Sequence, residues 1–423
     1  MLLKNKLYSK SIVSILDQGV FTGTNFILAI LLGRWLTQEA YGAYSLALVV
    51  FLLASGQYIS FLLEPMSVLG PNELRSNQVK YFGFLVKSHF GFTLVLTFII
   101  LILSALITSI NNPATRMMAI LLPFILAIWL VRWFYFMQGQ PQKSLIVSIS
   151  YFALVIIGLF VLYNSGNLTS SNVFIVIAVA SLVPSIIVAL KSLINRDGEP
   201  LSASKLILEH WNYGKWIGLA SILNWLAIQI FMIFIVVLID LQAAGGLKSL
   251  LNFAQPLEQI STALGLLLIP LTSRFYVDHS TSKYNSIIKN VNWILLAIGV
   301  TYLVVLWVLK DVIFFTAYDG NYQEFANLIP LVIVVPIIYS MSRGAQIGIR
   351  AIRQPRKLLY SYSVAAASTL ILGPLLIHNF GFLGALIGMI ITAILFSTTT
   401  NLFYYFSNKG KLDEPKISEK VLF

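Results

Sequence analysis

Twelve apolar stretches, each about as long as a membrane is thick, follow one another along the chain. A helix needs about 20 apolar residues to cross the ~30 Å hydrocarbon layer of a bilayer. The pattern therefore predicts an all-α integral membrane protein with about twelve transmembrane helices. The first six predicted spans are Ile12–Gly33, Tyr41–Leu63, His89–Ile110, Thr115–Met137, Ser144–Tyr163 and Val173–Leu193. The last six are Trp216–Ile239, Leu247–Leu271, Val291–Leu309, Phe325–Ile347, Leu358–Ile377 and Phe382–Tyr405.

Positive charge collects at alternate ends of these spans, which indicates the orientation of the chain. If the N-terminus is inside, 24 of the 28 Lys and Arg residues lie on the inner side. Loops that remain in the cytoplasm are enriched in Lys and Arg. We therefore expect a multi-pass protein with both termini in the cytoplasm. The four basic residues left on the outer side are Arg34, Arg116, Lys248 and Lys310.

The composition excludes several other classes of protein. A hydrophobic content of 58% with only 10% charged residues is far from that of an ordinary soluble domain. The net charge of +12 is best explained by contact with anionic membrane lipids, so we expect no nucleic-acid partner. The chain has no cysteine, and its four histidines show no metal-ligand spacing. We expect neither a metal nor an organic cofactor.

The two halves of the sequence resemble each other. The segment Gln140–Leu145 before span five has a counterpart in Gln354–Leu359 before span eleven. Six spans in each half predict two pseudo-symmetric six-helix bundles related by an axis along the membrane normal. The predicted divisions are an N-terminal bundle (1–193), a cytoplasmic linker (194–215), a C-terminal bundle (216–406) and a cytoplasmic tail (407–423). Ser202 and Ser204 are candidate N-caps for a short surface helix in the linker.

Polar side chains recur on single faces of spans one, seven and eight. Such groups are costly in lipid and usually face a cavity or a partner helix. We interpret the set as the lining of a hydrated substrate cavity, and the alternative for each residue is a hydrogen bond to a neighbouring helix. The candidate cavity residues are Gln18, Thr22, Asn25, Asn224, Gln229, Lys248, Asn252, Gln255 and Gln259.

Five charged residues within or near the spans suggest further roles. Asp17 and Glu258 are each candidates for half of a buried ion pair or for a site that couples transport to H⁺ or Na⁺. Arg132 and Arg343 lie near the inner ends of spans four and ten. Their side chains either extend to the lipid headgroups or bind a phosphate of the substrate. Lys248, at the outer end of its polar face, is a third candidate phosphate contact.

Three segments resemble a known family. The segments Leu31–Ser45, Asn252–Pro270 and Asp319–Tyr322 are similar to the opening, the eighth helix and an outer turn of polysaccharide repeat-unit flippases. These Wzx-type proteins belong to the MATE-like MOP exporter superfamily. The resemblance implies translocation of undecaprenyl-diphosphate-linked oligosaccharide units, for O-antigen or capsule, from the inner to the outer leaflet of the bacterial cytoplasmic membrane. It further implies a polysaccharide polymerase and a chain-length regulator as partners, and no enzymatic activity.

Two other functions fit parts of the sequence. A cation-coupled exporter of drugs or small amphiphiles has the same predicted fold. A membrane polysaccharide polymerase or glycosyltransferase is a candidate of another class, although the chain lacks the large outer loop typical of such enzymes. Spans one and two carry no inward-facing Arg like those of the peptidoglycan-precursor flippases, which argues against that substrate.

Overall fold

The computed structural model describes residues 2–72, 74, 77–194, 201–278, 281–352, 354 and 356–412, and nearly all of them are helical. These residues contain no β-strand, as expected for an all-α protein. The helices of the first half are α1 (Leu2–Trp35), α2 (Gln38–Tyr58), α3 (Glu64–Asn72), α4 (Gln78–Leu106), α5 (Pro113–Met137), α6 (Pro141–Asn164) and α7 (Ser170–Ile194). Those of the second half are α8 (Ala203–Ile228), α9 (Ile230–Leu238), α10 (Leu241–Val277), α11 (Thr281–Tyr318), α12 (Ile329–Ser340), α13 (Arg343–Ala351) and α14 (Arg356–Leu412).

The helices match the predicted spans. Within the described residues, nine helical segments are long and apolar enough to cross a membrane, and the pair α8 and α9, bent by 44°, forms a tenth. The 57 residues of α14 contain the last two predicted spans, separated at Gly381, where φ is 57°. Because an α-helix rises about 1.5 Å per residue, α14 is far too long for one crossing. The chain is a multi-pass membrane protein with helices at all twelve predicted positions.

The linker differs from the prediction. Ser202 lies just before α8, as expected of an N-cap, and its carbonyl accepts the Leu206 amide at 3.1 Å. However, α8 continues without a break to Ile228, so no separate surface helix forms there. Since no proline or other helix-breaking residue follows the N-cap of α8, the helix continues into the following span. The rest of the predicted linker (195–200) and most of the predicted tail (413–423) lie outside the described residues.

Irregular turns within the helices leave backbone carbonyls that other side chains satisfy. Pro123 lacks the N–H that would bond the carbonyl of Ala119, and the Thr97 hydroxyl donates to that carbonyl at 2.7 Å. A π-helical turn, Ile59–Leu63, follows α2, and the carbonyl of Phe61 accepts Nδ1–H of His210 at 2.8 Å. Backbone polar groups need such partners in a membrane because water is absent there.

The chain divides into two compact units. The first contains Met1–Trp225, Met232–Asn252 and Phe314–Gln323, and the second contains Leu226–Phe231, Phe253–Ile313 and Glu324–Phe423. In the first unit, α5 packs against α7 and α1 against α6. In the second, α12 and α13 pack against α14. The first unit therefore includes the N-terminal part of α10 and the C-terminal end of α11. The division into bundles at 193 and 216 remains a prediction.

Candidate functional site

A buried carboxylate lies at the centre of a polar network in the first unit. Asp17, on α1, is fully buried, and its Oδ2 is 2.6 Å from Nη2 of Arg132 on α5. Its Oδ1 accepts hydrogen bonds from Ser144 at 3.1 Å and Ser148 at 2.6 Å. The Arg132 side chain is 5% exposed, and its guanidinium carbon lies 3.8 Å from the ring centroid of Phe21. The negative charge is therefore compensated by an adjacent cation and two hydroxyl donors.

The network brings together two residues that the sequence singled out separately. Asp17 forms the ion pair that was one of its two predicted roles. Arg132 is its partner in this conformation, and its contact with headgroups or a phosphate remains a prediction. The sequence did not indicate Ser144 and Ser148 as ligands of Asp17. Their spacing of four residues, which places both on one face of α6, was the available signal.

The polar face of α1 extends from this network. Nη2 of Arg132 lies 3.5 Å from Oε1 of Gln18, and Nε2 of Gln18 donates to the Thr22 hydroxyl at 3.1 Å. The Asn25 amide donates to the Phe21 carbonyl at 3.2 Å, and its Oδ1 accepts the Tyr151 hydroxyl at 3.4 Å. Gln18 and Asn25 are exposed, and Thr22 is partly buried. This face thus keeps polar groups accessible, as the cavity hypothesis requires.

Asn252, predicted to line the cavity, is completely buried in the first unit. Its Nδ2 donates to the hydroxyls of Tyr41 at 2.7 Å and Tyr318 at 3.1 Å. The Tyr318 hydroxyl in turn donates to the carbonyl of Ser249 at 2.9 Å. Asn252 therefore contacts protein rather than a hydrated space in this conformation, and its place in a substrate path remains a prediction.

The second unit holds an arginine in a different environment. Arg343, partly buried at the start of α13, donates from Nε to the Ser261 carbonyl at 2.9 Å and from Nη1 to Oε1 of Gln346 at 3.2 Å. Its guanidinium lies against Gly265, where an added Cβ would meet Nη2 at 2.7 Å. Within the described residues, the ion pairs do not include Arg343. Arg350, seven residues further along the same helix face, adds to the positive potential there.

The other predicted site residues are distributed over both units. Asn224 and Lys248 belong to the first unit, and the remaining four belong to the second. Lys248 is 7% exposed. The structure therefore does not gather all the predicted cavity residues within a single unit. The four residues of the second unit are the partly buried Gln229 and Gln255 and the exposed Glu258 and Gln259.

Comparison with known proteins identifies the fold. No protein-family profile and no curated protein sequence matches the chain. Among solved structures, it is similar to the inward-facing conformation of a multidrug resistance MATE family transporter of the MOP superfamily. That match has a TM-score of 0.78 at 11% identity and covers 94% of this chain and 98% of the other.

Two further structures show the same similarity. The lipid II flippase MurJ, in an inward closed conformation, gives a TM-score of 0.70 at 14% identity, with 95% of this chain and 87% of the other covered. The eukaryotic MATE transporter AtDTX14 gives 0.59 at 16% identity, with 95% of both chains covered. At such identities the similarity defines the architecture and leaves the substrate open. This chain has the all-α fold of the MATE transporters.

Proposed function

We propose that this protein is a flippase for a lipid-linked oligosaccharide whose lipid and sugar are joined by a diphosphate. The substrate is an undecaprenyl-diphosphate-linked repeat unit of O-antigen or capsule, moved from the inner to the outer leaflet by alternating access. The MATE-like fold supports a transporter, and its structural neighbours include a lipid flippase. The segments Leu31–Ser45, Asn252–Pro270 and Asp319–Tyr322 support the substrate class.

The environment of Arg343 is the observation that carries the proposal. The buried carboxylate of Asp17 is already matched by Arg132, whereas Arg343 is bonded only to neutral oxygen acceptors. A partly buried cation of this kind attracts an anion from the substrate. This charge distribution favours an anionic substrate over the cationic drugs expected of a multidrug exporter.

The geometry of the guanidinium suits a phosphate. Arg343 has five N–H donors, of which Ser261 and Gln346 take two, so three remain for phosphate oxygens. Its contacts with Ser261, Gln346 and Gly265 fix the plane of the group before any ligand binds. A fixed planar guanidinium binds phosphate in a bidentate manner that Lys does not reproduce.

The exposed polar face of α1 is suited to form hydrogen bonds with a sugar. Gln18, Thr22 and Asn25 offer amide and hydroxyl groups of the kind that replace water around sugar hydroxyls. The polyprenyl chain has no need of such a path and remains in lipid. The candidates for coupling to H⁺ or Na⁺ are Asp17 and Glu258, the two acidic residues singled out in spans one and eight.

The deciding experiment compares cells that lack the protein with cells that produce it. Without it, we expect undecaprenyl-linked units to accumulate in the inner leaflet, out of reach of a membrane-impermeant glycan label added to spheroplasts. Production of the protein should restore labelling and supply units to the polymerase and chain-length regulator. Normal labelling without the protein would reject the proposal. A gain of resistance to cationic drugs on overproduction, with no effect on labelling, would instead support the multidrug exporter.

A further inference from the structure

The C-terminal ends of three helices border one cavity in the first unit. Leu31, Arg34 and Trp35 come from the end of α1, Tyr163 comes from the end of α6, and Asp319 directly follows α11. The cavity has a volume of about 390 Å³, which is within the range of pockets that bind small molecules. All five residues belong to the first unit, whereas Arg343 belongs to the second. The cavity is therefore a different site from the phosphate contact proposed above.

One wall of the cavity is aromatic. The rings of Trp35 and Tyr163 are stacked, with centroids 4.5 Å apart and planes inclined by 23°. Phe160, three residues before Tyr163 on α6, meets the Trp35 ring in a T-shaped contact at 5.3 Å. These two contacts hold the indole in place, while Tyr163 is 48% exposed. The cavity therefore presents a fixed, flat apolar surface against which the ring of a ligand can pack.

The cavity also carries a hydrogen-bond donor beside an acceptor. Nη2 of Arg34 lies 3.7 Å from Oδ1 of Asp319, and both side chains are exposed. Nη1 of Arg34 donates to the Thr316 carbonyl at 3.2 Å, which fixes the position of the guanidinium. Asp319 has a φ of 56°, a left-handed conformation that Asp adopts more readily than most residues. Two neighbouring hydroxyls of one ligand match this arrangement, because one can accept from Arg34 and the other can donate to Asp319.

The charges around the cavity favour a neutral ligand over an anion. The carboxylate of Asp319 offsets the charge of Arg34, and α1, α6 and α11 all end beside the cavity. A helix C-terminus carries a partial negative charge, so a phosphate would be disfavoured there. Trp and Tyr also serve as anchors at membrane interfaces. However, an anchor requires neither a cavity nor a donor and an acceptor beside the rings.

We propose that this cavity binds one neutral sugar ring of the glycan. The apolar face of the sugar packs against Trp35 and Tyr163, and two adjacent hydroxyls bond Arg34 and Asp319. The pattern of Lys and Arg predicts that the ends of α1, α6 and α11 lie on the outer side, so the site meets the glycan after it has crossed the membrane. The inference rests on the proposed function, to which it adds a sugar site separate from the phosphate contact.

The test measures sugar binding to the full-length protein in lipid nanodiscs by saturation-transfer difference NMR. The probes are glucose, galactose, rhamnose and N-acetylglucosamine, and we expect at least one to bind weakly. Trp35→Leu should raise its dissociation constant about tenfold, because the packing of the sugar against the indole is lost. The control is Trp293→Leu, which removes a tryptophan of α11 that is 61% exposed, and it should leave binding unchanged. Binding of none of the four sugars, or equal binding by the two variants, would overturn the inference.

A second variant keeps the test decisive if Trp35→Leu does not fold. Asp319→Asn retains a residue that tolerates positive φ and should weaken sugar binding about threefold or more, because a charged acceptor is lost. Inorganic phosphate and glycerol are the competitors. Displacement of the sugar by either one at equal concentration would show a site for anions or for lipid headgroups and would reject a sugar site.

The binding measurement involves no transport, so its failure is distinct from failure of the proposed function. Sugar binding by a protein that does not flip the diphosphate-linked glycan would reject the proposed function and support the site. Flipping by a protein that binds none of the sugars would reject the site and leave the proposed function standing.

Discussion

The carboxylate of Asp17 is bound on both oxygens by side chains from two different helices. Oδ2 meets Arg132 on α5, and Oδ1 meets Ser144 and Ser148 on α6. Taking either charge out of water is costly, and the pair offsets that cost only while both partners are present. A change at Asp17 therefore affects Arg132 most, because its remaining contacts there are the Gln18 side-chain oxygen at 3.5 Å and the Phe21 ring, and neither carries a negative charge.

We predict that Asp17→Asn destabilises the protein by about 3 kcal/mol or more, because it leaves Arg132 buried without an anion. The double variant Asp17→Asn with Arg132→Gln should recover most of that loss, since neither charge is then buried. The midpoint of thermal unfolding in detergent measures both effects. Glu209→Gln is the control: it breaks the more exposed pair with Lys205, 3.7 Å long, and should cost less than about 0.5 kcal/mol. Equal shifts for Asp17→Asn and Glu209→Gln would contradict the assigned network.

Arg343 is expected to act on substrate rather than on stability. Arg343→Gln should raise the half-saturating concentration of the diphosphate-linked glycan about tenfold or more, since charge-assisted hydrogen bonds are lost. Arg343→Lys should be nearly as impaired because Lys lacks the planar fork. Initial flipping rates in proteoliposomes provide the measurement. Arg116→Gln removes an exposed basic residue at the start of α5 and should behave like the unchanged protein. Normal affinity in Arg343→Gln would exclude the phosphate contact.

At the scale of the helix, Pro123 removes one backbone hydrogen bond of α5, and a side chain of α4 replaces it. The carbonyl of Ala119 loses its helical donor to Pro123 and gains the Thr97 hydroxyl from α4. This hydrogen bond joins α4 to α5 and fixes their relative position along the helix axes.

We predict that Thr97→Val costs about 1–3 kcal/mol, because the buried carbonyl of Ala119 is left unsatisfied. Pro123→Ala restores the missing N–H, so the double variant should regain stability that Thr97→Val loses. Thr93→Val, also on α4, is the matched control, since the Thr93 hydroxyl bonds carbonyls of its own helix at His89 and Phe90. Thermal unfolding of the four proteins gives a double-mutant cycle. A Thr97→Val effect that Pro123→Ala does not reduce would show that the hydrogen bond is unimportant.

The helices were predictable from sequence, whereas the partners of their polar residues were not. A run of apolar residues defines a span regardless of its surroundings, so all twelve positions were found. The helical period of 3.6 residues predicted that Gln18, Thr22 and Asn25 share one face of α1. It did not predict which side chains contact that face. Pairing Asp17 with Arg132 depends on α6, against which both α1 and α5 pack. Asn252 likewise reaches Tyr41 across more than two hundred residues of chain, a contact that no local pattern records.

For the whole molecule, orientation decides the direction of every proposed step. The distribution of Lys and Arg predicts that the connection between α6 and α7 lies outside and that the start of α8 lies inside. Each of these two places has an exposed residue, Asn167 in the connection and Ser204 in the first turn of α8. In this naturally cysteine-free chain, Asn167→Cys should react with an impermeant maleimide in intact cells, and Ser204→Cys should react only after permeabilisation. The reverse pattern would invert the chain and, with it, the proposed direction of transport.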